Sequence, residues 1–165
     1  SPPAGRLEEV LRVSVAAIDA QPLVAWSQVE LRRYRDELFI LPAVAPIPSG
    51  TQSLLPDSPV ELGEGLGRIE LQAATGAGIP AKVAQAGLTV RYRQGGERLR
   101  LTPEGRSQRL KTLMQSAGVL PWMRERLPLL EADGELVAVG DLWLDAAFVE
   151  TPGYRLVWHD RPLLL

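Results

Sequence analysis

No cysteine occurs in the 165 residues. That absence excludes a disulfide framework, thiolate metal ligation and thiol catalysis, and it fits a reducing cytoplasm. There is one histidine, His159, next to Asp160 in the terminal tail. A lone histidine there is expected to be solvated, and carboxylates at ligand spacing, which a metal site without cysteine requires, are not found. Apolar runs of membrane-spanning length are missing, as is the basic-then-apolar layout of a signal peptide, so no membrane partner is expected. A phosphate loop is missing too. The run Gly63-Glu-Gly-Leu-Gly67 carries an acid, has no lysine beside it and leads into strand-like sequence, so it reads as a turn. Asp141 and Asp145 flank a short strand and read as turn acids rather than an acid/base pair. The catalytic inventory is therefore empty, and no cofactor is expected to bind this chain.

The chain does have a segregated charge. Between Leu88 and Arg126 stand nine basic residues (Arg91, Arg93, Arg98, Arg100, Arg106, Arg109, Lys111, Arg124 and Arg126) against Glu97, Glu104 and Glu125. The surplus there is +6 in a chain whose total is −2, so the remainder carries −8. A basic island in an acidic protein is the electrostatic footprint of a face that binds a polyanion.

The alternation Leu88-Thr-Val-Arg-Tyr-Arg and Glu97-Arg-Leu-Arg-Leu101 around Gly95-Gly96 predicts a two-residue β-hairpin. In that register Arg93 faces Arg98 and Arg91 faces Arg100, while Val90, Tyr92, Leu99 and Leu101 share the opposite face. Four guanidinium groups on one surface repel one another unless an external anion such as phosphate, or acids from elsewhere in the fold, offsets them. A helix is predicted next, with Ser107 as N-cap, Leu110, Leu113, Met114 and Ala117 on its apolar face, and Gly118 and Pro121 as its stop. Its N-terminus, with Arg106 and Arg109 beside it, is a candidate phosphate seat. Trp122 after Pro121, and Tyr92, Trp143 and Trp158, are expected in the core rather than as base-stacking platforms.

Ahead of the island, Arg6 to Ala20 has the apolar stripe of a helix. Val24 to Arg33 and Glu37 to Leu41 read as a hairpin around Tyr34-Arg-Asp. Pro42, Pro46 and Pro48 mark a linker, followed by strand candidates at Leu54 to Leu62 and Arg68 to Ala73. Beyond the island, Glu135 to Val139, Leu142 to Leu144 and Tyr154 to Trp158 read as strands, and the Gly- and Ala-rich Thr75 to Ala86 gives no clear signal. The expected class is α+β: a small mixed sheet or barrel with one or two helices packed on it, preceded by a helix and hairpin subdomain. The expected division is 1–41 as part of a middle domain, 42–52 as linker, and 53–165 as a C-terminal domain. Ser1 in place of an initiating Met predicts a piece of a longer protein.

Several short motifs occur in an order that resembles the C-terminal domain of the tRNA(Ile)-lysidine synthetase family. They are Arg-Tyr-Arg-Gln-Gly-Gly-Glu (91–97), Leu-Lys (110–111), Gly-Val-Leu-Pro-Trp-Met-Arg (118–124), Pro-Leu-Leu (128–130) and Leu-Val-Ala-Val-Gly (136–140). Residues 7–41 resemble the same family's middle domain. Thr112 departs from the pattern, standing where a further basic residue is expected after Lys111. The resemblance implies a parent enzyme that uses ATP and lysine to modify the wobble cytidine of a minor isoleucine tRNA in the cytoplasm. This chain is then its tRNA-holding part, without the upstream catalytic domain that carries the ATP chemistry. The candidate RNA contacts are Arg91, Arg93, Arg98, Arg100, Arg106, Arg109, Lys111 and Arg124. The alternative from another class is a docking module whose arginine face packs on that catalytic domain or on an acidic protein.

Overall fold

A computed structural model describes residues 23–26 and 28–165 of the chain, and the helix expected over Arg6 to Ala20 lies outside them. The chain divides into two compact units, Ser1–Pro46 with Leu120–Trp122, and Ile47–Val119 with Met123–Leu165.

In the first unit, β1 (Leu23–Trp26), β2 (Val29–Tyr34) and β3 (Glu37–Pro42) form an antiparallel meander in that order. The first arm of the expected hairpin doubles back on itself, with Trp26 opposite Val29 and the buried pair Val24 and Leu31 opposite one another. The second reversal falls at Arg35-Asp36, with Arg35 at a φ of 56°. Within this unit Trp122 is buried, meets Phe39 edge-on at 5.3 Å between ring centroids, and carries the Arg32 guanidinium 5.4 Å from its centroid. It is a core residue, as its apolar body favours.

The second unit is built on β4 (Gln52–Leu54), β5 (Val60–Glu61), β6 (Arg68–Ala73), α1 (Ala81–Ala86), β7 (Leu88–Arg91), β8 (Arg98–Leu99), β9 (Gln108–Arg109), α2 (Leu110–Ala117), β10 (Leu129–Ala132), β11 (Glu135–Val139), β12 (Trp143–Leu144) and β13 (Tyr154–His159). They make a five-stranded sheet ordered β12-β11-β10-β7-β4, a three-stranded sheet ordered β13-β6-β5, and a ribbon of β8 and β9, every pairing antiparallel. The class is α+β, with several small sheets and two α-helices among the described residues. Strand β7 lies inside the larger sheet because Leu88 and Val90 are buried with Thr89 exposed between them, the period-two pattern of a half-buried strand. Its neighbour β10 contributes Leu129 and Leu130, both buried.

The Gly63–Gly67 turn joins β5 to β6 and closes on itself, Leu62 N–H donating to Gly67 C=O and Leu66 N–H to Gly63 C=O. Gly67 has a φ of 72°, and a Cβ there would lie 2.0 Å from the His159 carbonyl oxygen. Only glycine fits so close a backbone approach. The Trp158 indole donates to the Leu66 carbonyl at 2.7 Å, tying the same turn to β13. His159 is thus not in a solvated tail: it ends β13 opposite Arg68, its Nε2 3.1 Å from Glu70 Oε1. Gln72 also donates to that carboxylate, and the hydrogen bonds from His159 and Gln72 hold Glu70 below the usual carboxylate range.

The hairpin expected around Gly95-Gly96 does not form. Strand β7 pairs with β4 and β10, and β8 pairs with β9, so residues 88–91 and 98–99 never share a ladder. Both glycines have positive φ, 100° and 82°, and turn the chain away from β7. The reversal that does make a ribbon is Thr102-Pro-Glu-Gly105, where Gly105 N–H donates to Thr102 C=O at 3.0 Å with Pro103 at the position that favours such a turn. Val90, Tyr92 and Leu99 are buried as expected, whereas Leu101 is exposed.

Helix α2 starts two residues later than a Ser107 cap requires, with Arg109 at the N-cap position and no side-chain cap. Ser107 Oγ instead accepts from Arg98 Nε at 2.9 Å. Leu110, Leu113 and Met114 are buried at helical spacing, Ala117 is exposed, and Gly118 ends the helix in the left-handed region. Gly118 N–H reaches Gln115 C=O and Val119 N–H reaches Met114 C=O, the paired bonds of a Schellman stop. Leu110 is 1% exposed while the adjacent Lys111 is exposed. Leu110→Asp is therefore expected to unfold the second unit, a loss of about 4 kcal/mol or more from an unpaired charge in the core. Lys111→Ala is expected to stay within about 0.5 kcal/mol of the parent. Thermal melts of the two variants check this, and equal losses would refute the assignment of the buried face.

Candidate nucleic-acid interface

The basic island separates into cations the fold neutralises and cations it leaves unneutralised. Arg91, at the end of β7, belongs to the first kind. Its Nε donates to Glu131 Oε1 at 2.5 Å and its Nη1 to Glu97 Oε2 at 2.9 Å, with the Arg91 side chain 15% exposed. Burial works against its charge, but the bonds it donates to the two carboxylates outweigh this and raise its pKa. Arg124 is half-buried, and its Nε donates to the Val119 carbonyl at 2.9 Å.

Glu97 is the partner that sequence reasoning misses. Its carboxylate accepts the backbone N–H of Gln94 and of Gly95, each at 2.9 Å, as well as the Arg91 guanidinium. Its own carbonyl accepts the N–H of Leu110, the first residue of α2, at 2.9 Å. Burial would raise the Glu97 carboxyl, but the hydrogen bonds from Gln94, Arg91 and Gly95 hold it below the usual range. The signal in the sequence is the glutamate directly after two glycines, a carboxylate within reach of the free N–H groups of a turn.

The second kind of cation clusters on the ribbon. Arg98 of β8 stands directly opposite Arg109 of β9, so two guanidinium side chains leave the same face of a two-stranded ladder. Arg98 holds to the backbone and hydroxyl of Ser107, at 2.8 and 2.9 Å, rather than to an acid. Arg100 and Arg106 lie exposed in the loop between the two strands, and Lys111 lies exposed in the first turn of α2. Arg93 is half-buried before the glycine turn. Arg93, Arg98, Arg100, Arg106, Arg109 and Lys111 have no carboxylate partner among the described residues. Of the pairs expected from the sequence, Arg93 with Arg98 and Arg91 with Arg100, neither forms. The pair that does form brings Arg109 from the next strand.

Asp145 fixes the ribbon's loop. Its carboxylate accepts Arg100 N–H at 3.0 Å and Ala147 N–H at 2.9 Å, and Ala146 N–H returns a bond to the Arg100 carbonyl at 2.7 Å. A cleft of about 470 Å³ opens beside it, lined by Arg100, Pro103, Ser107, Asp145, Ala146 and Ala147. A second cleft, about 450 Å³, runs between β12 and β13, and both oxygens of its one carboxylate, Asp141, accept from Arg161 Nη1, at 2.9 and 3.0 Å. Asp141 and Asp145 are thus occupied with separate structural contacts. Tyr92 and Trp158 are buried, Trp143 is half-buried at the side of that second cleft, and burial pushes the Tyr92 phenol up to about 12. The glycine turn at Gly63–Gly67 does not fit ATP, since its own backbone bonds close it and Glu64 stands in it.

The family model described as the TilS substrate C-terminal domain matches residues 88–158, and the one described as the TilS substrate binding domain matches residues 1–39. A tRNA(Ile)-lysidine synthase of Alkalilimnicola ehrlichii is 37% identical over 97% of this chain and 36% of its own length. That of Methylococcus capsulatus is 38% identical over 98% of this chain and 38% of its own length. The chain thus spans little more than a third of the relatives it matches. A crystal structure of a TILS C-terminal domain superposes with a TM-score of 0.51 at 23% identity, covering 67% of this chain and 98% of that one, a likeness of fold.

Arg91→Gln leaves Glu97 and Glu131 facing each other without a cation, and a loss of about 3 kcal/mol is expected, less if water reaches the pair. Because the Glu97 carboxyl is lowered in the folded state, its contribution is present above the ordinary carboxylate value near about 4.3 and is lost as pH falls through the folded one. In Arg91→Gln the Glu97 carboxyl is held down less, so its acid loss is expected to be smaller and to be complete at a higher pH. Melting temperatures from pH 3 to 7 check both points, and a variant that melts like the parent throughout would refute them.

Proposed function

The chain belongs to the tRNA(Ile)-lysidine synthase family, carrying its substrate-binding and C-terminal domains, and on that premise we propose that it holds a tRNA by its backbone phosphates. The observation that supports this most is the Arg98–Arg109 ladder, two unneutralised guanidinium groups directly opposed, with Arg100, Arg106 and Lys111 exposed beside them. Like charges so placed cost stability in the free protein and become favourable when phosphates lie across them. Arg93 completes this set. Arg91, held by Glu97 and Glu131, and Arg124, held by the Val119 carbonyl, act as supports of the fold. Phosphate contacts fix the position and orientation of the RNA, and sequence discrimination is left to geometry elsewhere.

The longer protein, in this reading, attaches lysine to the wobble cytidine of a minor isoleucine tRNA at the expense of ATP, in the cytoplasm. Its chemistry lies in an upstream catalytic domain of the same polypeptide, and residues 42–52 link the middle-domain part, 1–41, to the RNA-holding C-terminal domain, 53–165.

The test is a titration of the chain with an isoleucine tRNA transcript and with a non-cognate tRNA at two salt concentrations. Arg98→Gln with Arg109→Gln is expected to weaken both RNAs alike and to reduce the log–log salt slope by roughly 0.7 to 0.9 for each phosphate no longer neutralised. Loss of discrimination alone would assign these arginines to bases. Unchanged binding would turn the face into a docking surface for an acidic protein.

A further inference from the structure

We propose that Glu97 is a positioning residue for RNA binding, an acid within the basic face that sets the spacing of its arginines. This inference rests on the phosphate-holding reading of the ribbon and adds to it a residue whose charge has the wrong sign for direct contact. Three observations carry it. First, the carboxylate is spent entirely inward, on Gln94 N–H, Gly95 N–H and the Arg91 guanidinium, with 5% of the side chain exposed. Second, the same residue's carbonyl takes the N–H of Leu110, so one residue fixes both the turn that follows Arg93 and the start of the helix that carries Lys111. Third, Arg98, the next residue in the chain, is the one that stands opposite Arg109. Loosening Glu97 therefore frees Arg93, the Arg98–Arg109 pair and Lys111 together, while the leucines beneath them remain buried.

The sign of the effect separates positioning from simple electrostatics. Removing an acid from a phosphate-binding face strengthens RNA binding if charge alone matters, because the local field becomes more positive. Glu104 supplies that comparison. It lies in the ribbon's turn, exposed and with no hydrogen bond or ion pair among the described residues. Glu104→Gln is expected to bind tRNA as tightly as the parent or up to about twofold more tightly. Glu97→Gln, the same change of charge, is expected to weaken binding by roughly tenfold, the worth of one charge-assisted hydrogen bond, and to flatten the salt dependence.

The experiment is a titration of the whole chain with an isoleucine tRNA transcript at two salt concentrations, at a temperature where circular dichroism shows parent and variants fully folded. Gly95→Ala serves as a second variant. It changes no charge, meets no atom within 4 Å and strains only the turn, whose φ of 100° an L side chain rarely adopts. It is expected to weaken binding in the same direction as Glu97→Gln, and it decides the matter if Glu97→Gln does not fold. Parent-like or tighter binding by Glu97→Gln with an unchanged salt slope, or parent-like binding by Gly95→Ala where Glu97→Gln is unfolded, overturns the proposal. A parent chain that fails to bind tRNA, or an Arg98→Gln/Arg109→Gln variant that binds normally, instead removes the reading on which it rests.

Discussion

A guanidinium held between two carboxylates is the interaction on which the rest of the second unit turns. Arg91 closes strand β7 where Val90 and Leu88 have just entered the core, and its side chain is too covered to be left as a lone charge. Glu131 meets it from the neighbouring strand β10, joining two strands already paired through their backbones. Glu97 meets it from the far side of the glycine turn and bends the chain back. There β8 cannot pair beside β7 in the five-stranded sheet, because β4 and β10 already take both edges of β7. It pairs outward with β9, and that displacement creates the ribbon.

The same interaction sorts the charges. Counted along the sequence, the island carries a surplus of +6, but two of its acids are not equivalent. Glu97 is consumed by Arg91 and two backbone N–H groups, whereas Glu104 is exposed in the ribbon's turn. What reaches the surface unneutralised is a smaller and better-ordered set than the count suggests. It is centred on the Arg98–Arg109 ladder, whose loop is pinned by Asp145 through backbone bonds rather than through its arginines. An acid that bonds only to backbone N–H groups fixes a loop without cancelling the guanidinium beside it, and Asp145 is used in that way, whereas Glu97 fixes its turn and neutralises Arg91 at once.

The strands and the helix are legible in the sequence because local pattern and burial agree. Glu135 to Val139 is bounded on both sides by turn residues and forms strand β11, and Leu110, Leu113 and Met114 lie on the buried face that their spacing implies. The ribbon is not legible, because the sequence holds two turn signals, Gly95-Gly96 and Pro103-Glu-Gly105, and local chemistry does not say which of them joins paired strands. The decision lies far off in the chain: β4 and β10 take both edges of β7, and Glu131, forty residues beyond Arg91, captures the arginine that the local register assigns to a solvent face. His159 escapes local reading for a similar reason: Gly67 and Leu66 hold the end of β13 from more than ninety residues away. The opposed pair of arginines survives the error in register with one partner exchanged. Over residues 98–100 the alternation of basic and apolar residues fixes which side chains face outward, Arg98 and Arg100 exposed and Leu99 buried, whichever strand lies across.

A ladder of like charges must be carried by something, and the magnitudes show that this fold carries it easily. An unfavourable cross-strand pair costs about 0.2 to 1 kcal/mol. A fully buried leucine contributes about 2 kcal/mol, and Leu99 and Leu110, which adjoin Arg98 and Arg109 in sequence, are each 1% exposed. The residue after each arginine thus anchors the strand that presents it, and alternation does in one step what a separate scaffold would otherwise have to do. On the proposed function this is why the face can stay unneutralised without unfolding. The core beside each cation holds the backbone, so the cation itself is left for an external phosphate, whose displaced counterions supply the binding free energy.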